Sequence, residues 1–130
     1  MLQFVTPHQV NQIIRMCEDH VATLPVDSEA GPGDLWHRDG GPLSPAAKAV
    51  NRFHAELSAH IAGLTPDAQI EVMALMMIGR YPNDFRSFAE AVKDAREEHD
   101  SHTPDYLADK QLVIGQYLKN GLEVIRAKAA

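Results

Sequence analysis

Four prolines each follow a serine or a threonine directly, and this pairing constrains the fold more than any other feature of the sequence. The pairs are Thr6-Pro7, Ser44-Pro45, Thr65-Pro66 and Thr103-Pro104. At a helix start, the hydroxyl group can accept a hydrogen bond from an unpaired N–H of the first turn. Proline fits the first helical position because the N–H that it lacks has no partner there. Gln9 completes a capping box with Thr6. The pairs therefore favour an all-helical chain.

The spacing of apolar residues supports helices after three of these pairs. Residues 7–23 and 45–62 each carry one apolar stripe, whereas residues 66–78 are apolar nearly all round. A stripe is typical of a helix that lies on a core, and an all-round apolar helix is typical of one that neighbours surround. Gly63 and Gly79 are predicted to end the second and third helices. A fourth helix is predicted to start near Asp84, and a last one to run from about Lys110 to Ala127.

The one irregular stretch of the sequence is Pro25 to Pro45. It holds half of the 16 Pro and Gly residues of the chain, together with four acidic residues. A loop of this length in a small domain usually has a function or is disordered. Its centre contains Trp36, His37 and Arg38, and an aromatic ring beside a cation is typical of contact surfaces. Alternatively, Trp36 packs onto the helices and fixes the loop. We predict a single all-α domain over residues 1–130, a compact bundle of about five helices with one long Pro/Gly-rich acidic loop.

Charge and cysteine content exclude several classes of protein. The 18 acidic and 12 basic residues give a net charge of −6, which argues against binding to nucleic acid. The single cysteine cannot form an internal disulfide and fits a reducing, cytoplasmic location. Neither a signal peptide nor an apolar run of about 18 residues is present in the sequence, so we expect no membrane partner. No phosphate loop, dinucleotide fingerprint or nucleophile elbow occurs, and no cofactor is expected.

The densest set of possible metal ligands follows the fourth predicted helix. Histidine and carboxylate side chains are suitable donors for a divalent metal, and the candidates here are His99, Asp100, His102 and Asp105. Their spacing matches no standard metal site. The alternative interpretation is the solvated end of a helix.

The end of the apolar third helix is the other candidate site. Arg80 could bind an anion or reach back to a carboxylate, or it could interact with the negative end and the unpaired carbonyl groups of its own helix. The apolar helix itself, with Met73, Met76 and Met77, either fills the core or faces a second subunit. We predict a homodimer.

A longer pattern runs from residue 64 to residue 123. It comprises Ala74-Leu75, Gly79-Arg80, Tyr106-Leu107, Tyr117-Leu118 and Gly121-Leu122. In this pattern the chain resembles a family of small bacterial proteins catalogued only as a domain of unknown function. The chain departs from the family pattern at Met77, where the pattern is aromatic, and at Tyr81-Pro82, where the pattern has glycine. The resemblance implies a helical fold and brings no established reaction. It nominates Gly79, Arg80, Tyr106 and Tyr117 as shared features.

These observations favour a non-enzymatic cytoplasmic helical module that acts as a homodimer. We expect it to bind a protein or a small molecule through the Pro25–Pro45 loop and the Gly79–Pro82 turn. The alternative is a metal-binding protein or a metal-dependent enzyme that uses His99, Asp100, His102 and Asp105.

Overall fold

The structure is a computed structural model that describes residues 2–24 and 44–129, and this part of the chain forms six α-helices and no strand. The helices are α1 (Pro7–Thr23), α2 (Pro45–Ala62), α3 (Pro66–Arg80), α4 (Phe88–Glu98), α5 (Thr103–Ala108) and α6 (Ile114–Ala129). The all-α prediction is confirmed. Most of the predicted Pro25–Pro45 loop, including Trp36, His37 and Arg38, lies outside the described residues.

Three of the four predicted helix starts have the expected caps. The Thr6 hydroxyl accepts a hydrogen bond of 3.0 Å from the Gln9 N–H, and the Gln9 side chain closes the capping box. The hydroxyl groups of Ser44 and Thr65 likewise accept from the N–H three residues ahead. Proline follows each of these caps, so α1, α2 and α3 begin where the sequence predicts.

The predicted helix at Thr103-Pro104 is confirmed, since α5 spans Thr103–Ala108, but the predicted cap of α5 and the predicted start of α4 near Asp84 are wrong. Thr103 lies inside α5, and its hydroxyl accepts a hydrogen bond of 3.0 Å from the Asp100 N–H, so it stabilises the preceding turn. Asp84 does not cap α4 but lies in the turn before it, where its N–H donates to the carbonyl of Tyr81 at 3.1 Å. Ser87 is the cap, and its hydroxyl accepts from the Glu90 N–H. A serine without a following proline gave no comparable signal in the sequence.

Two further helix boundaries, the start of α6 and the end of α3, also differ from prediction. Lys110 does not begin α6, because residues 110–113 form successive turns and the helix starts at Ile114. Gly79 does not end α3, which continues through Arg80. A glycine inside a helix serves to bring another backbone close, and Gly79 does so against α6.

α3 is the central helix of the fold. It packs mainly against α6 and α4, while α5 packs on α2 and α1 packs on α6. Eleven of its fifteen residues are buried by the same chain. α3 is therefore a core helix and does not present a face to a second subunit. A dimer through another surface stays a prediction. Within the described residues, no helix combines the length and apolarity that crossing a membrane requires.

Glu71 is a buried carboxylate on this otherwise apolar helix. It is 3% exposed and accepts hydrogen bonds from the backbone N–H groups of Gln3, Phe4 and Val5 at 2.8, 2.6 and 2.7 Å. Bonds from N–H groups to a charged acceptor are among the stronger ones in proteins. Glu71 thus ties the segment before α1 to the centre of the bundle. No role for Glu71 was predicted from the sequence.

Candidate functional site

The backbones of α3 and α6 touch at two glycines, and this contact places the side chains of the candidate site. A Cβ atom on Gly79 would overlap the carbonyl oxygen of Tyr117 and lie 2.8 Å from the backbone nitrogen of Gly121. A Cβ atom on Gly121 would likewise collide with the backbone of Leu75. Glycine is required at both positions by space alone. The close approach brings Tyr117 beside Arg80, the residue that follows Gly79.

Arg80 lies over two tyrosine rings at the end of α3. The central carbon of its guanidinium group is 4.9 Å from the ring centre of Tyr81 and 5.8 Å from that of Tyr117. Both distances fall within the range of cation–π attraction. Arg80 is exposed, Tyr81 is 49% exposed and Tyr117 is half-buried. We call these three side chains the Arg80 surface.

The charge of Arg80 has no carboxylate partner within residues 2–24 and 44–129. Most other described Arg and Lys side chains also lack one, and only Arg96, with Asp67 at 3.0 Å, and Lys119, with Glu18 at 2.7 Å, form such pairs; what distinguishes Arg80 is its place over two tyrosine rings. The favourable neighbours of Arg80 are the two rings and the negative end of its own helix. Its planar guanidinium retains five N–H donors for an external carboxylate.

Tyr106, the remaining nominated residue of the family pattern, does not join the Arg80 surface. Its ring lies beneath Lys110, whose ammonium nitrogen is 4.8 Å from the ring centre. Tyr106 also lines a cavity of about 210 Å³ with Met73, Asp100 and His102. The structure therefore brings together Gly79, Arg80 and Tyr117 of the four nominated residues.

Three of the four predicted metal ligands have hydrogen-bond partners of their own, and the fourth is His102. His99 is hydrogen-bonded through Nε2 to the side-chain oxygen of Gln69 at 3.0 Å. Asp100 accepts from the N–H of His102, and Asp105 accepts from the hydroxyl of Ser58 on α2. Among the described side chains, no group of three or more His, Cys, Asp or Glu residues is placed to hold a metal ion.

Tyr81 lies in the Gly79–Pro82 turn that was expected to bind a partner, but its contact with Arg80 was not predicted from the sequence. The signal was present, because Tyr81-Pro82 was recognised as a departure from the family pattern. Tyr81 has a φ of −131°, so the residue after α3 needs no glycine. Its N–H donates to the carbonyl of Met77 and completes the last turn of the helix. The position can therefore carry a large ring, which here lies against Arg80.

Fold and site together define an all-helical protein built around a buried α3, with a cationic and aromatic surface where α3 meets α6. The chain belongs to the family described as "Protein of unknown function (DUF3775)", whose model matches residues 54–126. The match extends from the middle of α2 into α6 and contains the whole Arg80 surface. Comparisons with curated proteins and with solved structures gave no significant match.

Proposed function

We propose that this protein is a non-enzymatic binding module that holds an acidic segment of a partner protein on the Arg80 surface. The observation that carries the proposal is the exposed guanidinium of Arg80, held over two tyrosine rings without a described carboxylate partner. Arginine and tyrosine are the residue types most enriched at the energetic centres of protein interfaces. Arg80 and the two tyrosines lie beside the close contact of α3 and α6, which limits the side-chain conformational entropy that they lose on binding.

Carboxylate groups suit this surface better than other ligands. The fork of a guanidinium group can bind a carboxylate through two parallel hydrogen bonds, and the tyrosine hydroxyl groups supply further donors. Because the chain carries a net charge of −6, an acidic partner is repelled by much of the protein and attracted near exposed cations, of which Arg80 also offers two tyrosine rings for contact. This charge distribution supports a defined place of binding.

The predicted homodimer and cytoplasmic location remain parts of the same proposal. Val21 and Leu112 are 48% and 50% exposed, and both line a groove between α1 and the turns before α6. Val113, next to Leu112, is 43% exposed. Exposed apolar side chains that gather in one place are typical of contact surfaces. The Pro25–Pro45 loop, with Trp36, His37 and Arg38, is proposed as a second contact on the basis of its sequence alone.

Peptide selection tests the acidic partner directly. A displayed library of random peptides is selected on the wild-type chain, and the enriched peptides are measured against Arg80→Gln and against Arg86→Gln, a control on an exposed arginine outside the Arg80 surface. We expect enrichment of Asp and Glu, and binding about tenfold weaker for Arg80→Gln alone. Trp36→Ala, measured with the same peptides, tests the loop. Peptides without acidic enrichment, or equal binding by Arg80→Gln, would contradict the proposal.

A further inference from the structure

A second candidate site lies between α1 and α2, mostly outside the segment that matches the family. It is an open cleft of about 710 Å³. Small-molecule sites typically have volumes of roughly 300–1,000 Å³. α1 and α2 make few direct contacts with each other, so among the described helices packing does not close the space between them. The cleft is large enough for a ligand the size of an amino acid.

His20 and Phe53 form the inner wall of this cleft. Their rings are stacked with centres 4.0 Å apart and planes inclined by 7°, and both residues are buried. His20 is 9% exposed, and its Nε2 atom has no hydrogen-bond partner among the described residues. A buried polar atom without a partner destabilises the folded state. Such atoms in native proteins call for an explanation, such as a bound water or ligand.

The rim of the cleft carries two cations and two anions. Lys48, Arg52 and Glu56 follow one another at single-turn spacing along α2, and Asp19 lies on α1. None of the four forms an ion pair with another described residue. A surface with separate positive and negative groups over an apolar wall is complementary to a molecule that carries both charges and an apolar group.

We propose that the α1–α2 cleft binds a small zwitterion, an α-amino acid with an apolar side chain. Its carboxylate faces Lys48 and Arg52, and its side chain lies along the ring of Phe53. Its ammonium group faces Asp19 and Glu56 and donates to Nε2 of His20 directly or through a water, which supplies the partner that this atom lacks. This binding is independent of the Arg80 surface, which lies on α3 and α6.

Three ligands that share a phenyl group and differ in their charged groups test the proposal by calorimetry on the full chain. L-phenylalanine carries both charges, 3-phenylpropanoate lacks the ammonium group and 2-phenylethylamine lacks the carboxylate. We expect L-phenylalanine to bind with a Kd between about 10 µM and 1 mM, and both analogues to bind roughly threefold to tenfold more weakly. Equal affinity for the analogues would overturn the zwitterion. No saturable binding of L-phenylalanine, L-leucine or L-methionine below about 10 mM would overturn the site.

Matched variants locate the binding. Arg52→Met should weaken binding of L-phenylalanine and of 3-phenylpropanoate, and Glu56→Gln should weaken binding of L-phenylalanine and of 2-phenylethylamine. The exposed α6 residues give the controls Arg126→Met and Glu123→Gln, which should bind as the wild type does. Ligand addition should also shift the ¹⁵N resonance of His20 Nε2 and leave that of the exposed His8 unchanged. Binding that responds equally to the control variants, or an unchanged His20 resonance, would overturn the assignment.

Discussion

Gly79 and Gly121 lie so close together that a Cβ atom on Gly79 would be only 2.8 Å from the backbone nitrogen of Gly121. The contact joins the central helix to the last helix of the bundle. Glycine is required at both positions because the two backbones approach closely there, and not because of any side-chain chemistry. The presence of both glycines in the family pattern therefore has a structural explanation that is separate from any binding role.

Alanine at either glycine should destabilise the fold. We expect Gly79→Ala and Gly121→Ala to lower the free energy of unfolding by about 3 kcal/mol or more, because the added methyl groups meet backbone atoms that cannot move alone. Gly63→Ala is the matched control, since Gly63 has a φ of −72° and contacts only its own helix. We expect its effect to stay within about 1 kcal/mol. Urea denaturation measures all three, and a stable Gly79→Ala variant would contradict the helix contact.

Removing the charge of Glu71 should release the segment before α1. A glutamine at this position retains one oxygen acceptor and turns its NH₂ group towards a backbone N–H. We expect a loss of about 2–4 kcal/mol of stability and faster hydrogen exchange at the amides of Gln3, Phe4 and Val5. Glu123→Gln, on an exposed face of α6, is the control and should change neither. Unchanged exchange at these amides would exclude the proposed role of Glu71.

Cys17 should be unreactive in the folded protein. Burial raises the pKa of its thiol from 9.0 to about 12, and the nearby carboxylate of Glu18 adds to the rise. The thiolate, which is the reactive form, is therefore absent at neutral pH. We expect iodoacetamide to modify Cys17 only in denaturant. Rapid modification of the native chain at pH 8 would show that the side chain is accessible.

The same pKa shift predicts a loss of stability at high pH. Between pH 9 and about 12 the unfolded chain releases the thiol proton and the folded chain retains it, so the unfolded state is favoured as the pH rises. The contribution falls by about 1.4 kcal/mol per pH unit in this window and is fully present below pH 9. Cys17→Ala should remove this slope. Parallel curves for the wild type and the variant, measured by denaturation at pH 8, 9 and 10, would contradict the assignment.

Divalent metals should leave the melting temperature unchanged. His99, Asp100 and Asp105 each have a hydrogen-bond partner of their own, so a metal would have to displace these contacts before it could bind. We expect no thermal shift with Zn²⁺, Mn²⁺ or Ni²⁺ relative to EDTA-treated protein. A shift that disappears in His102→Ala would instead support the metal-binding alternative.

The predicted homodimer should depend on the exposed apolar groove of Val21 and Leu112. Sedimentation equilibrium at tens of micromolar should give a dimer, and Leu112→Asp should give a folded monomer because a charge in an apolar contact is costly. Lys93→Asp, on an exposed position of α4, serves as the control and should remain dimeric. A monomeric wild type would refute the dimer.

The sequence predicted those parts of the fold that depend on local chemistry. The caps at Thr6, Ser44 and Thr65 and the apolar stripes rest on neighbours within one turn of helix, and the structure confirms them. Local chemistry could not reveal that Thr103 serves the preceding turn. In a helix cap and in a turn alike, the threonine hydroxyl accepts a hydrogen bond from a nearby backbone N–H, so the sequence does not distinguish the two roles.

The site was predictable only in part, because it depends on contacts distant in sequence. Arg80 was recognised from its motif, but its approach to Tyr117 requires the crossing of α3 and α6. The partners of Glu71 are separated from it by 66 to 68 positions, and a carboxylate on an apolar helix gives no indication of what it binds. His20 fits the apolar stripe of α1 by position, so the cleft beside it had no sequence signal.

The hydrogen bonds from residues 3–5 to Glu71 also constrain the order in which native contacts can form during synthesis. When the ribosome releases residues 3–5, the carboxylate that will hold them has not yet been made, because Glu71 follows 66 positions after Val5. Residues 3–5 cannot form these hydrogen bonds until α3 has been made. α3 in turn lacks its main packing partner until α6 is complete. The apolar surface of α3 that α6 covers therefore stays exposed until α6 has been made, and exposed apolar surface of this kind favours aggregation.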